Sequence, residues 1–230
     1  MPALSELCVV VPCGPGELAW RSLLPQLGGL PAEAQIVLSG VTGRADWPPA
    51  DAAFALLSGL RARLTVISGA AGRGAQQNRG AAQSQHTWLW FLHADSRLHS
   101  DSLARIAALP AEPALAYFDL AFHDGTPWMQ LNRAGAWLRS RWLGLPFGDQ
   151  GLLLPRHSFQ TLGGFDETLR SGEDHALVWA ARRAGLKLVP LGLPLYTSAR
   201  RYAEHGWLRT TARHLRLTWQ QARQFSGGAR

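Results

Sequence analysis

Thr87-Trp88-Leu89-Trp90-Phe91-Leu92, running into His93-Ala94-Asp95, is the stretch that decides the fold. An unbroken apolar run with no polar alternation reads as a strand covered on both faces, as in a parallel sheet between helix layers. Three other runs share that character: Leu7-Cys8-Val9-Val10-Val11-Pro12, Gln35-Ile36-Val37-Leu38-Ser39 and Leu64-Thr65-Val66-Ile67-Ser68. Gly14-Pro15-Gly16, Gly40 and Gly69 punctuate them. Helical patterns fall between most of the runs. Glu17–Leu27 carries Trp20, Leu23, Leu24 and Leu27 on one stripe, and Gly74–Ser84 is the clearest helix. Strands alternating with helices predict an α/β protein with a doubly wound, mainly parallel sheet and helices on both faces.

The second half reads differently. Leu115–His123 alternates apolar and polar positions, which predicts a half-buried strand joining antiparallel. Trp128–Arg141 is helical, Gly151–Leu154 a short strand, Glu173–Ala184 a helix stopped by Gly185, Leu186–Leu191 a strand, and His205–Gln224 an amphipathic helix. No segment is long or polar enough to act as a linker, so residues 1–230 are expected to form a single domain.

Composition narrows the class. With 47% hydrophobic and 17% charged residues in 230, disorder is excluded as a general description. No apolar run approaches the ~20 residues of a membrane-spanning helix. Met1–Pro12 has neither the basic start nor the long apolar core of a signal peptide. Cys8 and Cys13 are the only cysteines, and along one strand they would stand roughly 16 Å apart, too far to bridge. A reducing, cytoplasmic setting follows. The net charge of +7 is local: residues 1–199 hold 16 basic and 15 acidic residues, whereas seven arginines follow from Arg200 against Glu204 alone. A near-neutral body argues against a nucleic-acid partner.

In open α/β sheets ligands bind beyond the carboxyl ends of the strands. Gly69, Gly72 and Gly74 lead into a helix that starts beside Arg73, which fits either an anion-binding turn or an ordinary strand-to-helix turn. Asp95 emerges from the apolar run at the ligand edge, where a carboxylate suits a hard cation bridging phosphates. Its alternative role as a helix cap belongs better to Asp101, just before the helix at Ser102. Glu173-Asp174 opens a helix: two acids there complement the helix dipole, or one takes a proton from an attacking hydroxyl. Phe147-Gly148-Asp149-Gln150-Gly151 fits a tight turn or a sugar-binding loop. Asp119 and His123 share a strand face and are read as supporting or surface residues.

Three stretches together resemble a known family. They are Gly72-Arg73-Gly74-Ala75-Gln76-Gln77-Asn78-Arg79-Gly80-Ala81 with Trp90–Leu98; Gly144–Gly151 with Leu162-Gly163-Gly164-Phe165 and Glu173-Asp174; and Ser198–Tyr202 with Gly206–Thr210. The chain resembles a family-2, inverting glycosyltransferase of the GT-A fold, in a bacterial subfamily of short stand-alone enzymes. The resemblance implies a nucleotide-sugar-binding half at 1–100, an acceptor and catalytic half at 101–199, and a basic amphipathic helix at 200–230. It implies transfer of a sugar from a nucleoside-diphosphate sugar to an acceptor hydroxyl, assisted by Mg²⁺ or Mn²⁺. Asp174 would be the base, positioned by Glu173, and Asp95 would hold the metal. His93-Ala94-Asp95 stands where the family has its DxD-type motif. Pro12, Glu17, Ser39, Arg73, Asn78, His93, Ala94, Asp95, Arg200 and Arg201 would face the donor. Gly148, Asp149, Gln150 and Trp207 would face the acceptor.

The family pattern is incomplete. The turn after the first strand keeps Pro12 and Glu17 but lacks the usual Asn. Ser39 stands where a base-reading Asp is usual, with Asp46 several residues later. A serine contact to a base lacks charge assistance and is weaker. The competing readings are therefore a non-catalytic or decayed nucleotide-sugar-binding protein and a nucleotidyltransferase. The latter lacks its basic residue in Gly14-Pro15-Gly16-Glu17. In the tail, Arg209, Arg213 and Arg216 share one stripe, while Trp207, Thr211, Leu215 and Trp219 share another. That helix suits peripheral docking on an anionic membrane to meet a lipid-linked acceptor, with Trp128–Trp142 joining the surface, or it closes the fold with its tryptophans inside.

Overall fold

The computed structural model describes residues 3–43, 47, 59–110, 112–169 and 171–226. Asp46 lies outside them. The first strand, β1 (Leu7–Pro12), is buried along its whole length. It pairs in parallel with β2 (Gln35–Val41) on one side and β4 (Trp88–Phe91) on the other, with Val9 opposite both Ile36 and Trp90. Beyond β2 lies β3 (Arg63–Gly69), also parallel. The remaining strands are β5 (Arg97–Leu98), β6 (Ala114–Phe122), β7 (Leu153–Pro155) and β8 (Lys187–Thr197). All eight form one mixed, mostly parallel sheet in the order β3-β2-β1-β4-β7-β6-β8-β5. The strand order reverses at β1, so the ligand edge is expected beyond the ends of β1 and β4.

Alternation along β1 divides the core between the two faces of the sheet. Val9 and Val11 pack with Trp20, Leu23 and Leu27, while Cys8 and Val10 pack with Phe91, Phe159, Phe165, Leu177 and Val178. Helix α2 (Arg73–Ala82) lies so close to β1 that a Cβ on Gly80 would stand 2.4 Å from Val10 Cγ1. Only glycine permits that approach. Both cysteines are buried.

Three expectations need correction. The Glu17–Leu27 helix forms only as α1 (Trp20–Leu23) followed by a 3₁₀ turn at Leu24–Leu27, although its apolar stripe is buried as expected. Pro25 has no N–H to continue the α ladder. The second concerns β6, which is buried on nearly all positions and pairs antiparallel with β7 but parallel with β8. The third is that β8 continues past Leu191 to Thr197, because an irregularity in its pairing with β6 absorbs the Pro190–Pro194 segment.

Among the described residues the other helices are α3 (Ser102–Ala107), α4 (Met129–Trp142), α5 (Arg156–Thr161), α6 (Glu173–Arg183), α7 (Arg200–His205) and α8 (Trp207–Ser226). Among the described residues none is long and apolar enough to cross a membrane. Asp101 stands at the N-cap of α3, without a side-chain bond to the helix.

Candidate active site

Helix α6 begins with Glu173, whose side chain is almost completely buried and bonded to the Arg73 guanidinium at the start of α2. The next residue, Asp174, has both carboxylate oxygens on amides: Oδ2 accepts the Gly148 N–H at 2.6 Å and Oδ1 the His175 N–H at 2.9 Å. Burial works against its charge, but Arg73 and these two amides outweigh it, so Asp174 is held below the ordinary carboxylate range. Arg73 in turn is desolvated, yet Asp174, Glu173 and Asp149 keep its charge firmly in place.

A Cβ on Gly148 would lie 3.0 Å from Asp174 Oδ2 and 3.3 Å from His93 Nε2. The base candidate and the imidazole after β4 therefore crowd against the same glycine. His93 Nε2 is buried without a hydrogen-bond partner, and burial together with Arg73 lowers its affinity for a proton. The carboxylates of Asp95, Asp149 and Asp174 all act on it electrostatically. Asp149 differs from Asp174: its Oδ1 is buried with no donor, and burial pushes its pKa up against the pull of Arg139, His93 and Arg73.

Asp95 forms the outer part of the site. It sits in a turn closed by the Ser96 N–H on the His93 carbonyl at 3.1 Å. Its Oδ2 is 3.9 Å from Arg200 Nη2, and the same arginine is bonded to Glu17. Burial opposes the Glu17 charge, but Arg200 and the Ala19 amide lower its pKa. Residues from the ends of β1 and β4 and from α7, far apart in the sequence, thus meet at the predicted ligand edge. Among the described residues, no group of three or more His, Cys, Asp or Glu could enclose a metal ion. One half-buried carboxylate, however, suits Mg²⁺ or Mn²⁺, which is usually bound by one or two carboxylates together with substrate phosphates and water.

Several expected contacts are not brought to this group. Asn78 is fully engaged in holding the 165–167 segment, donating to the Phe165 carbonyl and Glu167 and accepting the Phe165 N–H. Gln150 is completely buried and ties its turn to Phe118, Phe147 and Arg139. Ala94 turns its methyl into the apolar core. Pro12 and Ser39 sit side by side at the ends of β1 and β2, both buried, the serine hydroxyl without a partner. Arg201 is exposed, with its charge toward His214. Trp207 gives its indole N–H to Asn132 at 2.6 Å and packs its ring 5.7 Å from Trp128. Asp119 is a partner of Arg141, at 2.8 Å.

Other residues gain importance from the structure. Gln76 donates from Nε2 to the carbonyls of Cys13 and Ser39, at 2.9 and 2.7 Å, and so fastens the ends of β1 and β2 together. Arg139 lies 3.3 Å over the Phe147 ring and bonds to the Leu145 carbonyl, bracing the turn that carries Gly148. His175 packs edge-on against Phe147, and burial pushes its pKa down to about 4. Glutamines on the apolar face of α2 and an arginine in the last turns of α4 were the available signals.

No protein-family model matches the chain, and no curated protein does. Solved structures do match its fold. The mannosyltransferase PcManGT from Pyrobaculum calidifontis, in complex with GDP-Man and Mn²⁺, superposes with a TM-score of 0.68 at 16% identity, covering 94% of this chain and 64% of that one. S. aureus TarS 1-349 gives 0.65 at 17% identity, with 84% and 60% coverage. Glucosyl-3-phosphoglycerate synthase from Mycobacterium tuberculosis, with Mn²⁺, UDP and glucosyl-3-phosphoglycerate, gives 0.59 at 16%, with 87% and 74% coverage. The chain spans about 60% of the TarS fragment and 36% of the longer TarS structure. Its α/β sheet has the architecture of GT-A glycosyltransferases.

Proposed function

We propose that the protein is an inverting glycosyltransferase moving a sugar from a nucleoside-diphosphate sugar to an acceptor hydroxyl. The observation carrying this reading is the Asp174 carboxylate, charged, oriented by two amides and gathered with Asp95 around His93. In the reaction, Asp174 takes the acceptor proton as the hydroxyl oxygen attacks the anomeric carbon, and the bond to the diphosphate breaks on the opposite face. Glu173 and Arg73 hold the helix start in place. Arg200 offers positive charge on the donor side, beside Asp95 and Glu17. A divalent cation, which Asp95 would hold, supplies further charge to the leaving diphosphate when bound.

One general base contributes about 10²–10⁴-fold. Asp174→Asn therefore keeps the thermal stabilisation produced by nucleoside-diphosphate sugars with Mn²⁺ and loses transfer by about 10²–10⁴-fold. Wild-type transfer in this variant overturns the base assignment. A wild-type protein stabilised by donor but turning nothing over favours the binding-protein reading instead.

A further inference from the structure

Two helices display large apolar side chains to solvent. On α4, Trp128, just before the helix, and Leu131, Leu138 and Trp142 recur at helical spacing along one exposed stripe, Trp142 at 75% exposure. On α8, Leu208, Leu215 and Trp219 form a second stripe, Leu208 also at 75%. The tail helix thus differs from its expected arrangement: Trp207 and Thr211 face α4, whereas Leu215 and Trp219 face out. The stripes converge, because Trp128, Trp207 and Leu208 line one open, almost wholly apolar hollow of about 640 Å³. Contiguous exposed apolar surface of this kind marks an interaction site.

Charge identifies the occupant. Arg209, Arg213 and Arg216 are exposed on α8 beside its apolar stripe, and Arg223 stacks 3.8 Å over Trp219. Neither α4 nor α8 contains an acidic residue. A second copy of the same face would set arginine against arginine, whereas an anionic lipid surface complements both features. The far end of α8 packs near the catalytic helix: Gln221 donates to the Ser171 carbonyl at 3.3 Å, just before Glu173-Asp174.

We propose that the joint face of α4 and α8 docks on an anionic phospholipid bilayer, the tryptophans and leucines entering the interface while the arginines meet the headgroups. This docking is independent of whether Asp174 transfers sugar. The test is co-sedimentation of the full chain with phosphatidylcholine vesicles prepared with or without phosphatidylglycerol. The expected result is a monomer that pellets with the anionic vesicles, blue-shifts its tryptophan emission there, and is released by salt. Leu208→Glu with Leu215→Glu abolishes pelleting, and Trp142→Glu separately weakens it, both with unchanged melting temperature. Arg209→Gln and Arg216→Gln each lower partitioning about fivefold. Absence of pelleting, equal binding to neutral vesicles, full binding by the double glutamate variant, or a stable dimer that Leu215→Glu dissociates each overturns the proposal.

Discussion

Asp174 and Asp149 share Arg73 as a neighbour in one buried cluster, yet their pKa values are displaced in opposite directions. Asp174 lies in the first turn of α6, where backbone amides point outward: Oδ1 accepts the His175 amide of the helix, and Oδ2 the Gly148 amide of the facing turn. Asp149 follows Gly148 in a 3₁₀ turn whose amide serves the other carboxylate, leaving its own Oδ1 without a donor. Residue type is the same in both, so the surroundings set the charge: Arg73 and the two amides overcome burial at Asp174, whereas burial prevails at Asp149. In a low-dielectric site a supplied or a missing donor has an amplified effect. One carboxylate held charged beside another that resists ionisation is the kind of divided environment that separates proton-accepting from proton-holding groups.

The most direct way to break that contrast is Gly148→Ala. Its Cβ would lie 3.0 Å from Asp174 Oδ2 and 3.3 Å from the Asp174 Cβ, so the turn or the helix start must move. A displacement approaching 1 Å of a reacting group costs about 10²-fold. Transfer should fall by about that factor, and the acid limb of its pH profile should move upward as Asp174 loses an amide. An unchanged profile would show that the Gly148 N–H does not set the Asp174 charge.

Asp95 sharpens the contrast from outside. It lies within electrostatic reach of the same His93, but its charged neighbour is an arginine at 3.9 Å that a bound cation would compete with. Asp95→Ala should weaken Mn²⁺-dependent donor binding about tenfold or more, the lower range for loss of groups supporting a metal. Donor titrations with and without Mn²⁺ read this directly. Equal affinities in wild type and variant would remove Asp95 as the proposed metal ligand.

The frame of this site was legible because it rests on repetitive signals. Apolar runs gave β1 to β4, and the placement of Asp95 and Glu173-Asp174 at element ends followed from glycine and helix periodicity. Position along an element did not reveal where polar side chains point. Asn78 and Gln150 occupy motif positions, yet their amides are consumed by backbone groups 87 and 32 residues away. Gln76 bonds to carbonyls 63 and 37 residues away for the same reason: long-range partners leave no local pattern. The alternation in β6 misled because α4 covers its second face, where Tyr117 donates to the Ser140 carbonyl at 3.0 Å. Leu215 and Trp219 share the stripe expected of them but point outward, since only Trp207 and Thr211 meet Asn132.

The smallest expected effect is the one that isolates the comparison from catalysis. Asp174 has a depressed pKa in the fold, so its stabilising contribution is present above the unfolded carboxylate value and disappears as pH falls through the folded one. Asp149 has a raised pKa, so the folded state favours its protonated form, and that preference is lost as pH climbs through the raised value. Asparagine removes both dependences. Relative to wild type, Asp174→Asn should melt lower at pH 7, with the gap closing toward pH 3. Asp149→Asn should melt higher at pH 7, with that gap closing toward acid. Each ~1 kcal/mol appears as about 2–4 °C in a domain of this size. Parallel shifts of the same sign in the two variants would show that one electrostatic environment covers both residues, and the division of roles between helix start and turn would fail.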